Sequence, residues 1–356
     1  MNVLMTADAV GGVWSYALEL ADALAELDVA VTLAITGAPL SAEQRVELRR
    51  SQVARCFAAG YALEWQQDWT SFRRSCDWLR EIAETVDPDI VHVNGFAQAV
   101  LGWRHPVVVV AHSCVSSWFE AVRGRQPPPE WDRYRREVAS GLAAADLVVA
   151  PTRAMLDALR RHHPFECESR VIANGIGVVE RSSVPKRRVV LAAGRLWDEA
   201  KNVGALARVA AFVDAPIEVA GDLGGAAPET VHALGRLGRD ELRARMAASA
   251  VFCAPARYEP FGLAPLEAAA AGCALVLGDI GSLREVWEDA ALFVEPDDPE
   301  RLIAALTAAL EDHVALGARA LRQAARYTSA RMAEEYADAY ERLVTERITA
   351  PADARA

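Results

Sequence analysis

Short apolar runs typical of buried strands alternate with segments of helical periodicity along nearly all of the 356 residues. Val3 to Met5 has the character of a strand, and the spacing of apolar residues from Val13 to Leu27 predicts the helix that follows it. Because a helix separates each strand from the next, neighbouring strands have to pair in parallel rather than as hairpins. The alternation therefore predicts an α/β protein with doubly wound parallel sheets.

The alternation is interrupted once, by a polar segment from Glu180 to Arg188 that contains Pro185. Val189 to Ala193 then begins a second series of strands and helices. We therefore divide the chain into an N-terminal domain, residues 1–180, and a C-terminal domain, residues 181–328. Two domains are also what the length of the chain leads us to expect. A final amphipathic helix is predicted after them, over residues 329–346.

Composition excludes several classes of protein. The net charge of −11 argues against a general nucleic-acid-binding protein. The six cysteines are scattered without a C-x-x-C pair, so we expect small core residues of a reducing compartment and neither a disulfide framework nor a zinc site. The N-terminus lacks a basic segment followed by a long apolar run, and no apolar stretch approaches about 20 residues, so we expect a cytoplasmic protein. A peripheral contact with a membrane is left open.

Two carboxylates eight residues apart, Glu259 and Glu267, flank a predicted transition from loop to helix. Pro260 and Gly262 break the chain after a buried strand, and an alanine-rich helix begins at Leu263. Open α/β sheets bind ligands at the carboxyl ends of their strands, and the amides at the start of a helix attract anions. The stretch therefore predicts a diphosphate site with a carboxylate on either side, as a sugar joined to a nucleoside by a diphosphate would require.

Two cations follow the first strand of the second half. Arg195 comes directly after the strand, and Lys201 lies where the next helix begins. Their charge of about +2 matches the charge of about −2 on a diphosphate. Because that negative charge grows as the sugar departs, we expect these side chains to stabilise the transition state more than the bound substrate.

The first half offers two candidate positions at strand ends. Gly11 and Gly12 form a turn that lets the main chain approach a ligand, although a plain tight turn is an alternative. His112 follows a strand and can face a ligand or serve as a structural histidine. His92 lies within a strand, so we expect a structural role. The glycine turn lacks the G-x-G-x-x-G pattern, which argues against a nicotinamide dehydrogenase.

The Glu-x7-Glu pattern with its Pro-Phe-Gly-Leu interior, and the Gly-Arg-Leu sequence followed by Lys-Asn, resemble the family-4 retaining glycosyltransferases of the GT-B fold. The resemblance covers nearly the whole chain. It implies two Rossmann-like domains facing across a cleft, with the acceptor mainly on the first, the donor on the second, and the last helix crossing back to the first.

The resemblance also implies an activity. The enzyme would be a hexosyltransferase that moves a sugar, with retention of configuration, from a nucleotide-diphospho-sugar to an acceptor hydroxyl. UDP and GDP donors are the commonest in the family, and the acceptor could be a sugar, a lipid-linked sugar or a small molecule. No cofactor is implied, and we expect no metal requirement, because two cations already face the diphosphate. The oligomeric state is left open.

The residues that match the family fall into two sets. The catalytic set comprises the two cations, one carboxylate and one imidazole: His112, Arg195, Lys201 and Glu259. The donor-binding set comprises the glycine turn, a strand end near the nucleobase, the helix start and the carboxylate for the ribose: Gly11, Gly12, Arg236, Leu237, Phe261, Gly262, Leu263 and Glu267.

The chain departs from the family at two positions. Gly177 stands where an acidic residue usually follows the Asn-Gly turn, and Ser282 stands where a second glycine is common. Two alternatives are kept: a protein of the same fold that binds nucleotide-sugars without catalysis, and a dehydrogenase with two α/β domains. The first alternative requires the loss of one of the cations or carboxylates of the diphosphate site, and all four are present: Arg195, Lys201, Glu259 and Glu267.

Overall fold

The structure is a computed structural model, and it describes residues 1–179, 184–195, 197–222, 224–225 and 229–349. The predicted domain boundary at residues 180 and 181 and Leu196 of the Gly-Arg-Leu sequence lie outside these residues. The chain divides into two compact units. The first comprises Met1–Phe119, Gln126–Gly175 and the last helix, and the second comprises Glu120–Arg125 and Ile176–Thr328.

The first unit contains a seven-stranded parallel sheet in the order β3-β2-β1-β4-β5-β6-β7. Its strands are β1 Asn2–Asp8, β2 Ala30–Thr36, β3 Arg55–Ala58, β4 Ile90–Val93, β5 Val107–Val110, β6 Leu147–Ala150 and β7 Glu168–Val171. The helices of this part of the chain are α1 Gly12–Ala25, α2 Ala42–Arg50, α3 Trp69–Val86, α4 Val115–Arg123, α5 Asp132–Ala144 and α6 Arg153–His162.

The second unit contains a six-stranded parallel sheet in the order β10-β9-β8-β11-β12-β13. Its strands are β8 Arg187–Ala193, β9 Ile217–Ala220, β10 His232–Gly235, β11 Ser249–Ala254, β12 Ala274–Gly278 and β13 Leu292–Val294. Its helices are α7 Val203–Val209, α8 Arg239–Ala248, α9 Leu263–Ala270, α10 Gly281–Trp287, α11 Pro299–Glu311 and α12 His313–Ala324. Short 3-10 turns occur at Glu64–Gln66, Ala97–Val100, Pro129–Trp131, Glu199–Lys201 and Ala210–Phe212.

Helices cover the sheets, so the central strands are buried on both faces, as their continuous apolar sequences require. Every residue of β5 and β6 is buried, and so is every residue of β12. The expected α/β class with parallel sheets is therefore confirmed. The helix α13 Ser329–Thr349 packs against α1 of the first unit and buries Tyr336 and Tyr340.

The structure differs from the sequence-based expectations in two details. The edge strand β3 was not predicted, because its sequence is short and largely exposed. That exposure also places Cys56 at the surface, although Cys76, Cys114, Cys253 and Cys273 are buried as expected. The Ala/Leu spacing over residues 299–325 predicts a helical region, and the structure has two helices there, separated at Asp312. Among the described residues, no helix is both long enough and apolar enough to cross a membrane.

Candidate active site

The order of strands in the second sheet creates a ligand-binding position. β8 lies between β9 and β11, so the connections after β8 and β11 leave in opposite directions, and a crevice forms outside the carboxyl ends of such strands. The loop after β8 carries Arg195 and Lys201, and the loop after β11 carries Glu259 and Gly262. The topology therefore brings both predicted cations and the start of α9 to one edge of one sheet.

A charged pair forms the centre of this site. The Lys201 ammonium lies 2.5 Å from Oε2 of Glu259, and their side chains are only 22% and 16% exposed. Lys201 ends the 3-10 turn after β8, where Asn202 adopts a left-handed conformation with φ 51°. The Asn202 side-chain amide donates to the carbonyls of Pro255, at 3.0 Å, and Pro296, at 2.6 Å. These bonds fasten the lysine-bearing turn to the segments that follow β11 and β13.

Asp198 holds the other cation. Its Oδ2 accepts a hydrogen bond from Nη2 of Arg195 at 3.1 Å, and its Oδ1 accepts one from the amide of Ala200 at 3.0 Å. The carboxylate is only 7% exposed, whereas the Arg195 side chain is 42% exposed. A single buried carboxylate thus orients the guanidinium and also caps the turn that presents Lys201.

The start of α9 supplies main-chain donors. Gly262 precedes the helix with φ 95°, and a Cβ at this position would lie 3.1 Å from Cγ of Pro265. No side chain caps this helix. The amides of Leu263 and Ala264 have no carbonyl one turn earlier within the helix, and Pro265 has no N–H, so two amides face outward from the helix start. Such a terminus favours an anion.

The hydroxyl of Ser282 ties α10 to the site. Its Oγ donates to the main-chain carbonyl of Glu259 at 2.5 Å. A glycine at this position, as is common in the family, has no side chain to make this bond. The departure from the family therefore immobilises the loop that carries Glu259.

The remaining predicted donor-binding residues of the second unit differ in accessibility. Glu267 is half-buried within α9, Arg236 is exposed after β10, and Leu237 is half-buried. The ring of Phe261 is buried and packs edge-to-face against Tyr327, with 5.6 Å between ring centroids. Only the main chain of Phe261 is therefore available to a ligand.

In the first unit, the predicted glycine turn also lies at a point where the strand order reverses. β1 lies between β2 and β4, and the turn follows it. Gly11 has φ 74°, a conformation that favours glycine, and Gly12 begins α1. The Gln44 side chain donates to the carbonyl of Ala9 at 2.9 Å, so α2 holds the loop in place.

His112 follows β5 and lies against residues from two neighbouring elements. Its Nε2 is 2.8 Å from Oδ1 of Asn94, and the Tyr16 ring packs edge-on with 4.4 Å between centroids. Burial, with a smaller contribution from the nearby His92, lowers the pKa of His112 to about 3, so the imidazole is neutral near pH 7. His92 is completely buried within β4, where its Nδ1 lies 2.5 Å from the hydroxyl of Tyr340.

Three residues beside the candidate sites were not predicted from sequence: Asn94, Asp198 and Glu64. The Glu64 carboxylate accepts hydrogen bonds from the amides of Ala97, at 2.8 Å, and Phe96, at 3.2 Å. Burial raises the pKa of Glu64 to about 7 despite these bonds. The contact joins positions more than thirty residues apart, so no local pattern could have signalled it.

The described residues contain no group of three or more His, Cys, Asp or Glu side chains arranged to hold a metal ion. Asp87 and Asp89 have the spacing of a carboxylate pair, but they precede β4 at the amino edge of the first sheet. There Oδ2 of Asp89 accepts a hydrogen bond from the amide of Asn2 at 2.7 Å. The candidate residues Gly11 and His112 of the same unit lie instead at the carboxyl ends of β1 and β5.

Two models of glycosyltransferase families match most of the chain. The family model of Glycosyltransferase Family 4 matches residues 10–179, and that of Glycosyl transferases group 1 matches residues 226–329. Phosphatidyl-myo-inositol mannosyltransferase of Mycolicibacterium smegmatis is 26% identical over an alignment of 340 residues, and the match covers 86% of this chain and 82% of that protein. Glycogen synthase of Mycobacterium tuberculosis is 40% identical over 98 residues, covering 27% of this chain and 24% of that protein.

Solved structures share the fold. Sucrose-phosphate synthase from Thermosynechococcus elongatus superposes with a TM-score of 0.79 at 17% identity, covering 97% of this chain and 99% of that one. Anabaena Alr3699/HepE in complex with UDP and glucose gives a TM-score of 0.76 at 16% identity, covering 96% of this chain and all of that one. Fold and family matches thus define a glycosyltransferase of the GT-B class. Within that class, the chain belongs to the family-4 glycosyltransferases.

Proposed function

We propose that the enzyme transfers a sugar from a nucleotide-diphospho-sugar to an acceptor hydroxyl with retention of configuration and without a metal ion. The observation that carries this proposal is the convergence of Lys201, Glu259 and the open start of α9 at adjacent strand ends, with Arg195 after the same strand as Lys201. Cations and helix amides suit a diphosphate, and a carboxylate suits the sugar hydroxyls beside it.

The two cations would carry the charge that a metal ion carries in other transferases. Lys201 and Arg195 would bind the diphosphate, and the amides of Leu263 and Ala264 would bind its outer oxygens. Glu267, one turn inside α9, would hold ribose hydroxyls. The main chain near Arg236 would contact the nucleobase, as the family resemblance implies.

Glu259 would hold the reacting sugar, and the family resemblance implies that His112 and the Gly11-Gly12 turn also contact the donor. Glu259 would accept hydrogen bonds from sugar hydroxyls and stabilise positive charge on the ring in the transition state. The bond from the anomeric carbon to the phosphate oxygen breaks as the acceptor oxygen bonds to that carbon on the same face. The departing phosphate takes the acceptor proton, which accounts for retention without a covalent intermediate on the protein.

Nucleotide-sugars test the proposal directly. We expect UDP, GDP or ADP, but not NAD, to raise the melting temperature, and one member of a panel of UDP-, GDP- and ADP-sugars to release its nucleotide diphosphate in the presence of acceptor. GDP-mannose and UDP-glucose head the panel, because one relative is named a mannosyltransferase and one structure of the same fold is a complex with UDP and glucose. Transfer should continue in the presence of EDTA. NMR of the product should show that the anomeric configuration of the transferred sugar is unchanged. Stabilisation by NAD alone would contradict the proposal.

Asp198→Asn is expected to weaken donor binding without disturbing the turn. The asparagine carbonyl can still accept from the Ala200 amide, but its NH2 group cannot accept from Arg195. The guanidinium then loses one charge-assisted bond, worth about 1 kcal/mol at this partly exposed site, so the KM for the donor should rise about fivefold. Steady-state kinetics with varied donor measure this change.

The matched control for this variant is Asp214→Asn. Asp214 lies in the same unit, and its side chain is completely exposed. Both variants remove one negative charge, so a change in KM that follows net charge alone would appear in both. An equal KM for the two variants would show that Asp198 does not orient Arg195 for the donor.

A further inference from the structure

The side-chain amide of Asn94 lies between two histidines of the first unit. Its Oδ1 is 2.8 Å from Nε2 of His112 and 3.1 Å from Nε2 of His92. Its Nδ2 donates to the carbonyl of Thr6 at 2.7 Å, and its main-chain amide donates to the Thr6 hydroxyl at 2.9 Å. Because only the NH2 group can donate to the Thr6 carbonyl, the orientation of the Asn94 amide is fixed.

This orientation determines which ring nitrogen of each histidine carries hydrogen. An amide oxygen can only accept, so both His92 and His112 have to donate from Nε2. A neutral imidazole that carries hydrogen on Nε2 has none on Nδ1. For His92, an Nδ1 without hydrogen is consistent with its second contact: this nitrogen lies 2.5 Å from Oη of Tyr340, whose hydroxyl can donate to it. For His112, Nδ1 remains as a hydrogen-bond acceptor.

The surroundings keep both rings neutral. His92 and the Tyr340 hydroxyl are buried, and the rings of Tyr16 and Tyr336 pack against His92 with centroid distances of 6.2 Å and 5.3 Å. Tyr16 also packs against His112. These groups come from α1 and α13, and they are phenols rather than carboxylates. Burial lowers the pKa of His92 to about 4, in the same direction as that of His112.

We propose that Asn94 is a positioning residue that holds His112 as the neutral Nε2–H tautomer, so that Nδ1 accepts a hydrogen bond from a hydroxyl of the transferred sugar. The proposal rests on the proposed function for its ligand, but the tautomer itself follows from contacts within the first unit. His112 then acts as a hydrogen-bond acceptor and neither as a cation for the diphosphate nor as a proton donor. Hydrogen bonds between Tyr340 and His92 and between His92 and Asn94 connect this arrangement to the last helix.

Nitrogen-15 NMR of histidine-labelled enzyme at pH 7 tests the tautomer without any substrate. We expect the His112 signals, assigned with His112→Gln, to show a protonated Nε2 and an unprotonated Nδ1. Asn94→Leu should abolish this preference and give a mixture of tautomers. A His112 that carries hydrogen on Nδ1 in the unmodified enzyme, or that keeps its tautomer in Asn94→Leu, would overturn the proposal.

Asn94→Asp separates positioning from simple packing. The carboxylate can accept from both Nε2–H groups, but its charge stabilises the imidazolium and raises the pKa of His112. Below that raised pKa, Nδ1 carries a proton and cannot accept from the sugar. We therefore expect kcat/KM to fall at least tenfold at pH 6 and to recover towards the unmodified level at pH 9. A loss that is the same at both pH values would indicate a merely structural role.

Tyr340→Phe is the matched control, since it removes the bond to His92 and leaves Asn94 in place. The His112 tautomer should be unchanged, and the melting temperature should fall.

The two proposals fail in different ways. If nucleotide-sugars prove not to be substrates while the NMR signals are as expected, the proposed function is wrong, and only the assignment of the His112 tautomer to Asn94 stands. If transfer occurs but His112 carries hydrogen on Nδ1, the positioning role is wrong.

Discussion

Lys201→Ala is expected to reduce kcat/KM for the donor by about 10²–10³-fold, the usual effect of losing one donor to the charge that develops in a transition state. Lys201 lies where β8 and β11 present their carboxyl ends, and its ammonium is 2.5 Å from Glu259. Once the ammonium is absent, the leaving diphosphate keeps only Arg195 and the amides of α9. The nucleoside diphosphate should also bind more weakly, since the same contact exists in the complex with product.

The fold of this variant should remain intact, because the lost ion pair is partly exposed and contributes on the order of 1 kcal/mol. The chain provides a clean control, since it has only two lysines. The other, Lys186, donates to the carbonyls of Met246, at 2.9 Å, and Ala271, at 2.8 Å. Lys186→Met should therefore lower the melting temperature and leave kcat/KM unchanged. Near-normal turnover by Lys201→Ala would exclude this lysine from the transfer step.

Amine modification offers a second measurement on the unmodified enzyme. A nucleotide diphosphate that binds at Lys201 should protect that side chain from acetylation, whereas Lys186 is held by carbonyls with or without ligand. Peptide mass spectrometry distinguishes the two lysines, because each lies in a different peptide. Equal labelling of Lys201 with and without nucleotide would place the diphosphate elsewhere.

The sequence allowed the strand ends to be located, because strands buried on both faces are continuous apolar runs such as Val107–Val110. Parallel strands place their carboxyl ends at one edge, so residues distant in sequence could be assigned to the same edge of a sheet. That argument brings Lys201 and Glu259 into one site, and the structure shows them in contact.

The same reasoning could not find the residues that orient the site. Asp198 lies in the loop already singled out, but its two bonds depend on the conformation of the turn that follows it. Asn94 contacts residues from three elements, and Glu64 reaches the Ala97 amide from another loop. Side-chain partners of this kind are set by packing across the fold. The strand β3 was missed because an exposed edge strand has no apolar run in its sequence.

Glu259→Ala is expected to separate binding from transfer. In the free enzyme Glu259 neutralises Lys201, so its removal leaves the ammonium available and should leave the affinity for UDP or GDP unchanged or increase it. The transfer step should slow by about 10²-fold or more, because the carboxylate is lost from the position where the sugar ring becomes positive. Lys201→Ala should weaken nucleotide binding and also slow the transfer step. The two variants therefore differ in nucleotide affinity, although each of them loses turnover.

Titration calorimetry with the nucleotide and steady-state kinetics with the full donor measure the two quantities separately. Glu259→Gln keeps a hydrogen-bond acceptor but removes the charge, so its rate reports how much of the effect is electrostatic. The double variant Lys201→Ala/Glu259→Ala should be little slower than the worse single variant, because residues that act as a unit are not additive. Glu259→Ala with normal turnover, or with nucleotide affinity lost as completely as in Lys201→Ala, would mean that the carboxylate does not serve the sugar. Its function would then be confined to holding the lysine in place.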